Sequence, residues 1–258
     1  MNIIFAIANQ KGGVGKTTTS VNLAASMAAT KRRVLLVDLD PQGNATTGSG
    51  IAKNDLELSI YDVLLGNASA MEVITASNGG YDLLPANGDL TAAEVELLES
   101  GHQEQRLRQA LEPVRGSYDV IVIDCAPSLS MLTLNGLVAA DGVIIPMQCE
   151  YYALEGLAAL TQTIDRVAET ANPQLYIAGI LRTMFDPRNT LANDVSNELL
   201  THFGDTVLNT IIPRNVRLAE APSYGVPGVL FDKSSKGAKA YLDFANEMVE
   251  RLGLPIAA

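Results

Sequence analysis

Asn9-Gln10-Lys11-Gly12-Gly13-Val14-Gly15-Lys16-Thr17-Thr18-Thr19 separates two unlike stretches. Before it runs an unbroken apolar segment, Ile3 to Ala8; after it, apolar residues recur at Val21, Ala24, Ala25 and Ala28. The first pattern predicts a buried strand and the second a helix over Val21 to Ala29, which leaves a glycine loop between them.

Such a turn aims successive backbone N–H groups inward and leads into a helix N-terminus, where unpaired amides and the helix dipole favour an anion. Phosphate is the expected occupant, cradled by Gly12, Gly13, Val14, Gly15, Lys16, Thr17 and Thr18. Lys16 would reach the β and γ phosphates of a nucleotide, and the Thr17 hydroxyl would join the oxygen shell of Mg²⁺. The usual spacing is Gly, four residues, Gly-Lys-Ser/Thr, but Gln10 stands where the first glycine belongs and a second lysine, Lys11, is present. On the residues alone Lys11 reads as a solvated loop lysine.

Two more stretches end apolar runs in carboxylates. Arg33 to Val37 predicts a second buried strand, closing in Asp38-Leu39-Asp40-Pro41-Gln42-Gly43-Asn44. Parallel strands present ligand sites at their carboxyl ends, so Asp38 and Asp40 should share an edge with the phosphate loop, where a carboxylate can align an attacking water. The bland alternative is turn capping before Pro41. Tyr118-Asp119-Val120-Ile121-Val122-Ile123-Asp124 predicts a central strand with a carboxylate at its tip, able to hold Mg²⁺ through a water.

The other elements alternate. Strands are expected over Tyr81 to Leu84, Asp141 to Met147 and Leu175 to Leu181. Helices are expected over Ile60 to Leu65, Thr91 to Glu99 with a Thr91-Ala92-Ala93-Glu94 capping box, Gln103 to Leu111, Tyr151 to Ala171, Leu191 to Phe203 and Lys233 to Leu252. This order predicts an α/β fold: a doubly wound, mostly parallel sheet flanked by helices, as one domain over 1–258.

Composition narrows the class. A hydrophobic content of 47% without an apolar run near 18 residues predicts a globular chain without a membrane span. A strand opening at Ile3 leaves no room for a leader, so a cytoplasmic location is expected. Cys125 and Cys149 lack metal-ligand spacing and read as buried free thiols. The net charge of −11 argues against indiscriminate nucleic-acid binding. Yet Val207 to Lys239 carries Arg214, Arg217, Lys233, Lys236 and Lys239 against only Glu220 and Asp232, with Arg182 and Arg188 just upstream. A helix would set Lys233, Lys236 and Lys239 along one face, either as solvated charge or as a phosphate-binding stripe.

Lys11-Gly12-Gly13-Val14-Gly15-Lys16-Thr17 resembles the deviant phosphate loop of the ParA/MinD family. Asp38 to Asn44 resembles that family's second motif, and Asp124-Cys125-Ala126-Pro127 its switch segment. Met184 to Asn189 and Ile212 to Leu218 look like segments of chromosomal, Soj-like ParA proteins, so the resemblance runs from Ile3 to about Leu252. It implies an ATPase using ATP and Mg²⁺, with Lys11 acting across an ATP-dependent homodimer, Asp40 in hydrolysis supported by Asp38, and Pro213 and Asn215 at the adenine. It further implies nonspecific double-stranded DNA bound by Arg188 and Arg217, with Lys233 and Lys236 as weaker candidates. A ParB-type centromere-binding partner and a nucleoid-associated, ATP-bound state follow from the same resemblance. No helix-turn-helix precedes the loop, so the short form of the family is expected, without sequence-specific readout.

Three rival readings have distinct requirements. A MinD-like membrane or cargo-positioning ATPase needs a basic amphipathic helix at the carboxyl end, where Glu247 to Ala258 offers only Arg251. An iron–sulfur carrier needs paired cysteines at a dimer interface. A small-molecule kinase or ligase would yield a substrate-dependent product beyond phosphate.

Overall fold

The computed structural model describes residues 2–98 and 103–253. Among them the strands β1 (Ile3–Ile7), β2 (Val34–Leu39), β3 (Thr75–Ala76), β4 (Asp82–Leu84), β5 (Val120–Cys125), β6 (Gly142–Met147), β7 (Tyr176–Phe185) and β8 (Val207–Pro213) form one sheet. Its order is β3-β4-β2-β5-β1-β6-β7-β8. Every pairing is parallel except β3 with β4. The doubly wound, mostly parallel sheet expected from the alternation is therefore the observed architecture.

The central strands read as continuous apolar runs because both of their faces are covered. Ile3, Phe5 and Ile7 enter one core, while Ile4, Ala6 and Ala8 enter the other. The first core is closed by the helices Lys16–Ala29 and Lys236–Arg251, through Leu23, Met27, Tyr241, Phe244 and Met248. The second is closed by helices including Arg106–Arg115, Met131–Ala139, Ala153–Thr170 and Thr190–Phe203, through Leu111, Leu137, Leu160 and Leu199.

Several boundaries differ from the expectation for local reasons. The first helix starts at Lys16, five residues before the apolar spacing begins. Thr17, Thr18 and Thr19 are poor helix formers by themselves, and the loop sets the start by presenting Gly15 in the left-handed region. Helix Met131–Ala139 and strand β8 escape the pattern reading. The helix is apolar on almost every side, with Asn135 and Gly136 both buried, so it has no stripe. Gly136 is required there, since a Cβ would stand 2.9 Å from the Cys125 sulfur. β8 is an outer strand whose burial does not alternate.

Thr91 lies inside helix Leu90–Leu98, so the capping box expected from it does not form; the Asp89 amide bonds instead to Asn87 Oδ1 at 3.2 Å, in the turn before. The expected end of that helix at Glu99 lies outside the described residues. The last helix begins at Lys236 because Ser235 caps it, accepting from the Ala238 amide at 3.1 Å. Lys233 consequently belongs to the preceding turn, and only Lys236 and Lys239 are on the helix.

Asn22 ties this framework together beside the glycine loop. Its Nδ2 donates to the Thr18 carbonyl at 2.8 Å, and its Oδ1 accepts from the Val229 amide at 3.0 Å, linking the first helix to helix Gly228–Phe231. Asn22→Ala leaves the buried Val229 amide unpaired. It is expected to lower the unfolding free energy by about 1–3 kcal/mol in urea titration. An unchanged midpoint and slope would contradict this role.

Candidate nucleotide site

Strand register assembles the site. Ile7 of β1 pairs with Asp124 of β5, and Asp124 pairs with Asp38 of β2. The three stretches that end β1, β2 and β5 therefore meet on one carboxyl edge, as the sequence predicts. They line a cavity of about 410 Å³ bordered by Gly12, Gly13, Gly15, Lys16, Thr17, Thr18 and Asp40.

The loop owes its path to two left-handed glycines, Gly13 at φ 73° and Gly15 at φ 90°. Nothing stands within 4 Å of a Cβ placed at Gly13, so there the need is for torsional freedom and not for space. Asn9 fixes the loop's entry, donating to the Pro146 carbonyl at 2.8 Å and accepting from the Lys11 amide at 3.0 Å. Lys16 arches back over the loop, its Nζ 3.0 Å from the Lys11 carbonyl. Burial lowers its pKa, opposed by the nearby Asp124, Cys125 and Asp40.

The two loop lysines point to different places. Lys11 is exposed and forms an ion pair with Glu150, just before helix Ala153–Thr170, while Lys16 is buried beside the cavity. Directly after Glu150, Tyr151 and Tyr152 stand 73% and 71% exposed, with their rings packed edge to face. Apolar side chains this open are suited to a protein contact.

The carboxylates divide in the same way. Asp40 lines the cavity, with its Oδ1 accepting from the Gln42 amide at 2.9 Å. Asp38 is fully buried and turned into its own loop, accepting from the Thr46 amide and hydroxyl at 2.7 Å each. These bonds tie the end of β2 to the helix turn that begins at Asn44. Asp124 is fully buried, and its Oδ1 accepts from Ser20 at 2.8 Å. Burial raises its pKa, Asp38 adds to the rise, and the nearby hydroxyls of Ser20 and Thr17 oppose it.

Asp124 Oδ2 is buried without a hydrogen-bond partner among the described residues. An orphan carboxylate oxygen beside the Thr17 hydroxyl is a hard-oxygen donor set, and it fits Mg²⁺ held directly or through water. Cys125 and Cys149 are buried and free, and burial raises the pKa of both, Cys149 to about 11.

Pro213 and Asn215 also line the cavity, together with Ile212, Leu218 and Tyr241. Asn215 also caps the next helix, accepting from Arg217 N at 2.9 Å. Ile212, Leu218, Tyr241, Thr183 and Met184 are lining residues that sequence reasoning missed, since apolar residues in strands and helices look like ordinary core.

The four basic candidates lie outside this cavity. Arg188 is exposed and grips Asp186 with two bonds of 2.9 and 2.8 Å. Arg217 is shared between Glu220 at 2.9 Å and Asp232 at 3.5 Å. Both acids of the basic segment thus pair with one arginine, while Lys233 and Lys236 are exposed.

A left-handed glycine loop feeding a helix, with strand-end carboxylates beside it on a parallel sheet, defines a P-loop nucleotide hydrolase. A family model described as an AAA domain matches residues 1–177. The chain is 53% identical over 249 residues to the sporulation initiation inhibitor protein Soj of Bacillus subtilis, covering 96% of this chain and 98% of that protein. It is 52% identical over 249 residues to the chromosome partitioning protein ParA of Myxococcus xanthus, covering 96% and 88% respectively. A crystal structure of cobyrinic acid a,c-diamide synthase from Mycobacterium smegmatis, with bound ADP and magnesium, superposes with a TM-score of 0.88 at 40% identity, covering 98% of this chain and 96% of that one. The chain belongs to the ParA/Soj family of P-loop ATPases.

Replacing Lys16 with Ala removes the buried cation of the phosphate loop. Nucleotide affinity is expected to fall by at least about a hundredfold, by the strength of charge-assisted bonds to phosphate. Titration with a fluorescent ADP analogue measures this, and retained affinity would overturn the placement of Lys16.

Proposed function

We propose that this ATPase is a partition switch for a chromosome or plasmid. Two copies close face to face on ATP and Mg²⁺, the dimer binds nonspecific double-stranded DNA, and hydrolysis stimulated by a ParB-type partner releases it. The observation that carries this reading is Lys11. It turns outward to Glu150, which the exposed Tyr151 and Tyr152 follow, while Lys16 arches over the loop of its own chain. A lysine so placed is available to the phosphates of a second copy once it leaves Glu150. The resemblance of the motifs and the names of the relatives support the same reading.

In this scheme the loop amides and Lys16 hold the phosphates, and Thr17 with Asp124 provides the oxygen donors for Mg²⁺, which neutralises charge on the phosphates when bound. Asp40 orients the attacking water. Lys11 of the second copy adds positive charge where negative charge builds up on the phosphate oxygens in the transition state. That role parallels an arginine finger, worth roughly 10³ to 10⁵ in rate. The ATP-bound protein would be nucleoid-associated in the cytoplasm.

Two other readings are weaker. Among the described residues no helix is long and apolar enough to cross a membrane. The carboxyl-terminal membrane segment that a MinD-like protein needs falls partly on 254–258, outside the described residues. A ligase reading draws on the name of the mycobacterial synthase, at 40% identity against 52% and 53% for the two partition proteins. A ligase would release phosphate only with an acceptor substrate present.

Two substitutions separate the steps. Asp40→Ala should slow hydrolysis by at least about a hundredfold while ATP stays bound and the dimer assembles, the usual range for losing a group that acts on water. Wild-type turnover would remove Asp40 from the mechanism. Arg217→Glu should weaken DNA binding by about tenfold at low salt with ATP affinity and dimer mass unchanged. Equal DNA affinity at two salt concentrations would exclude Arg217 from the contact.

The metal site has a pH signature. Since burial raises the pKa of Asp124, Mg²⁺ must displace a proton to use it, and Mg²⁺ affinity in the presence of ADP is expected to rise with pH. Asp124→Asn should abolish that rise in a calorimetric titration, and an unaltered pH dependence would place the metal elsewhere.

A further inference from the structure

We propose that Thr183, in β7, is a positioning residue of the phosphate loop that sets the direction of the Gly15 amide. The inference deepens the nucleotide-binding reading and rests on it. Thr183 is 2% exposed, and its hydroxyl donates to the Val14 carbonyl at 2.7 Å across 169 residues of chain. Val14 is itself buried, at 1% exposure, so where its carbonyl now points no solvent replaces the Thr183 bond.

Peptide planarity gives this one bond its consequence. The peptide joining Val14 to Gly15 is trans, so its C=O and N–H point in opposite directions. Drawing the oxygen to β7 turns the Gly15 N–H away from the Thr183 hydroxyl, in the segment that Gly13, Gly15 and Lys16 contribute to the cavity border. There it joins the amides at the start of helix Lys16–Ala29 as a phosphate donor.

Glycine makes the pin necessary. At φ 90°, Gly15 occupies a region that glycine alone enters freely, and it enters the opposite sign of φ just as readily. A peptide flip between Val14 and Gly15 is therefore open to the chain unless the carbonyl is held, and the flip would present an oxygen to the phosphate in place of a donor. The next residue, Met184, is held at φ 49° with its sulfur 2.9 Å from Gln148 Nε2. The end of β7 is thus fixed in an uncommon conformation where it meets the loop.

The test compares Thr183→Val, which keeps the branched shape without the hydroxyl, with Thr183→Ser, which keeps the hydroxyl. Mg-ADP affinity is measured by calorimetry, with melting temperature recorded without nucleotide. Thr183→Val should bind about tenfold more weakly, the scale of one charge-assisted hydrogen bond, and Thr183→Ser should lie within about twofold of the unsubstituted chain. Equal binding by Thr183→Val, or a Thr183→Ser protein as weak as it, would overturn the proposal.

A second measurement needs no variant. In glycine-labelled protein the Gly15 amide resonance should shift, and its solvent exchange slow, when ADP is added. An unmoved Gly15 signal with ADP bound would overturn the proposal as well. Failure of the unsubstituted chain to bind ADP at all would overturn the nucleotide reading, and this inference with it.

Discussion

Backbone amides cannot be gathered round an anion without bending the chain into torsions that side chains resist. Gly13 and Gly15, at φ 73° and 90°, meet that constraint, and the surrounding structure keeps the bend in place. Asn9 anchors the loop to Pro146 on β6, and Thr183 anchors it to β7. The helix that follows begins where the bend directs it, and its buried face then sets the packing of one side of the sheet.

Electrostatics follow from the same enclosure. Asp38 and Asp124 lie together at the strand ends and Lys16 is buried nearby, and burial disfavours the charged form of each of the three. Asp38 offsets this with hydrogen bonds from Thr46, and Lys16 with the opposite charges around it. Asp124 keeps one oxygen unpaired among the described residues, the kind of deficit that a cation relieves. Stability is given up here for a site that reaches balance with phosphates and metal present.

The parts of this arrangement differ in how readable they were. The glycine loop, the strand-end aspartates and the central sheet were legible because each rests on local chemistry: glycine torsions, apolar runs buried on both faces, and a carboxylate after a strand. Pro213 and Asn215 were reached through resemblance alone, and both border the cavity. Asp38 was read as a support to Asp40 at the same edge, since nothing local reveals that Thr46 turns it inward. The Lys233 stripe failed because Ser235 sets the helix start, a choice invisible to charge spacing. Thr183 and Tyr241 carry no motif, and only the fold brings them to the loop.

In the proposed partition function the basic segment is where an acidic chain of net charge −11 would meet DNA. The two candidate arginines are already paired, Arg188 with Asp186 and Arg217 with Glu220 and Asp232, so each contact with a phosphate exchanges one anion for another and one copy contributes little. Doubling the contacts in a dimer is the physical route to useful affinity. The most direct measurement of that claim is duplex DNA binding by gel shift, with light scattering for mass, under ATP, ADP and no nucleotide. The account predicts a doubled mass and DNA binding with ATP alone; DNA binding by a single copy, or no response of mass and DNA affinity to ATP, would contradict it.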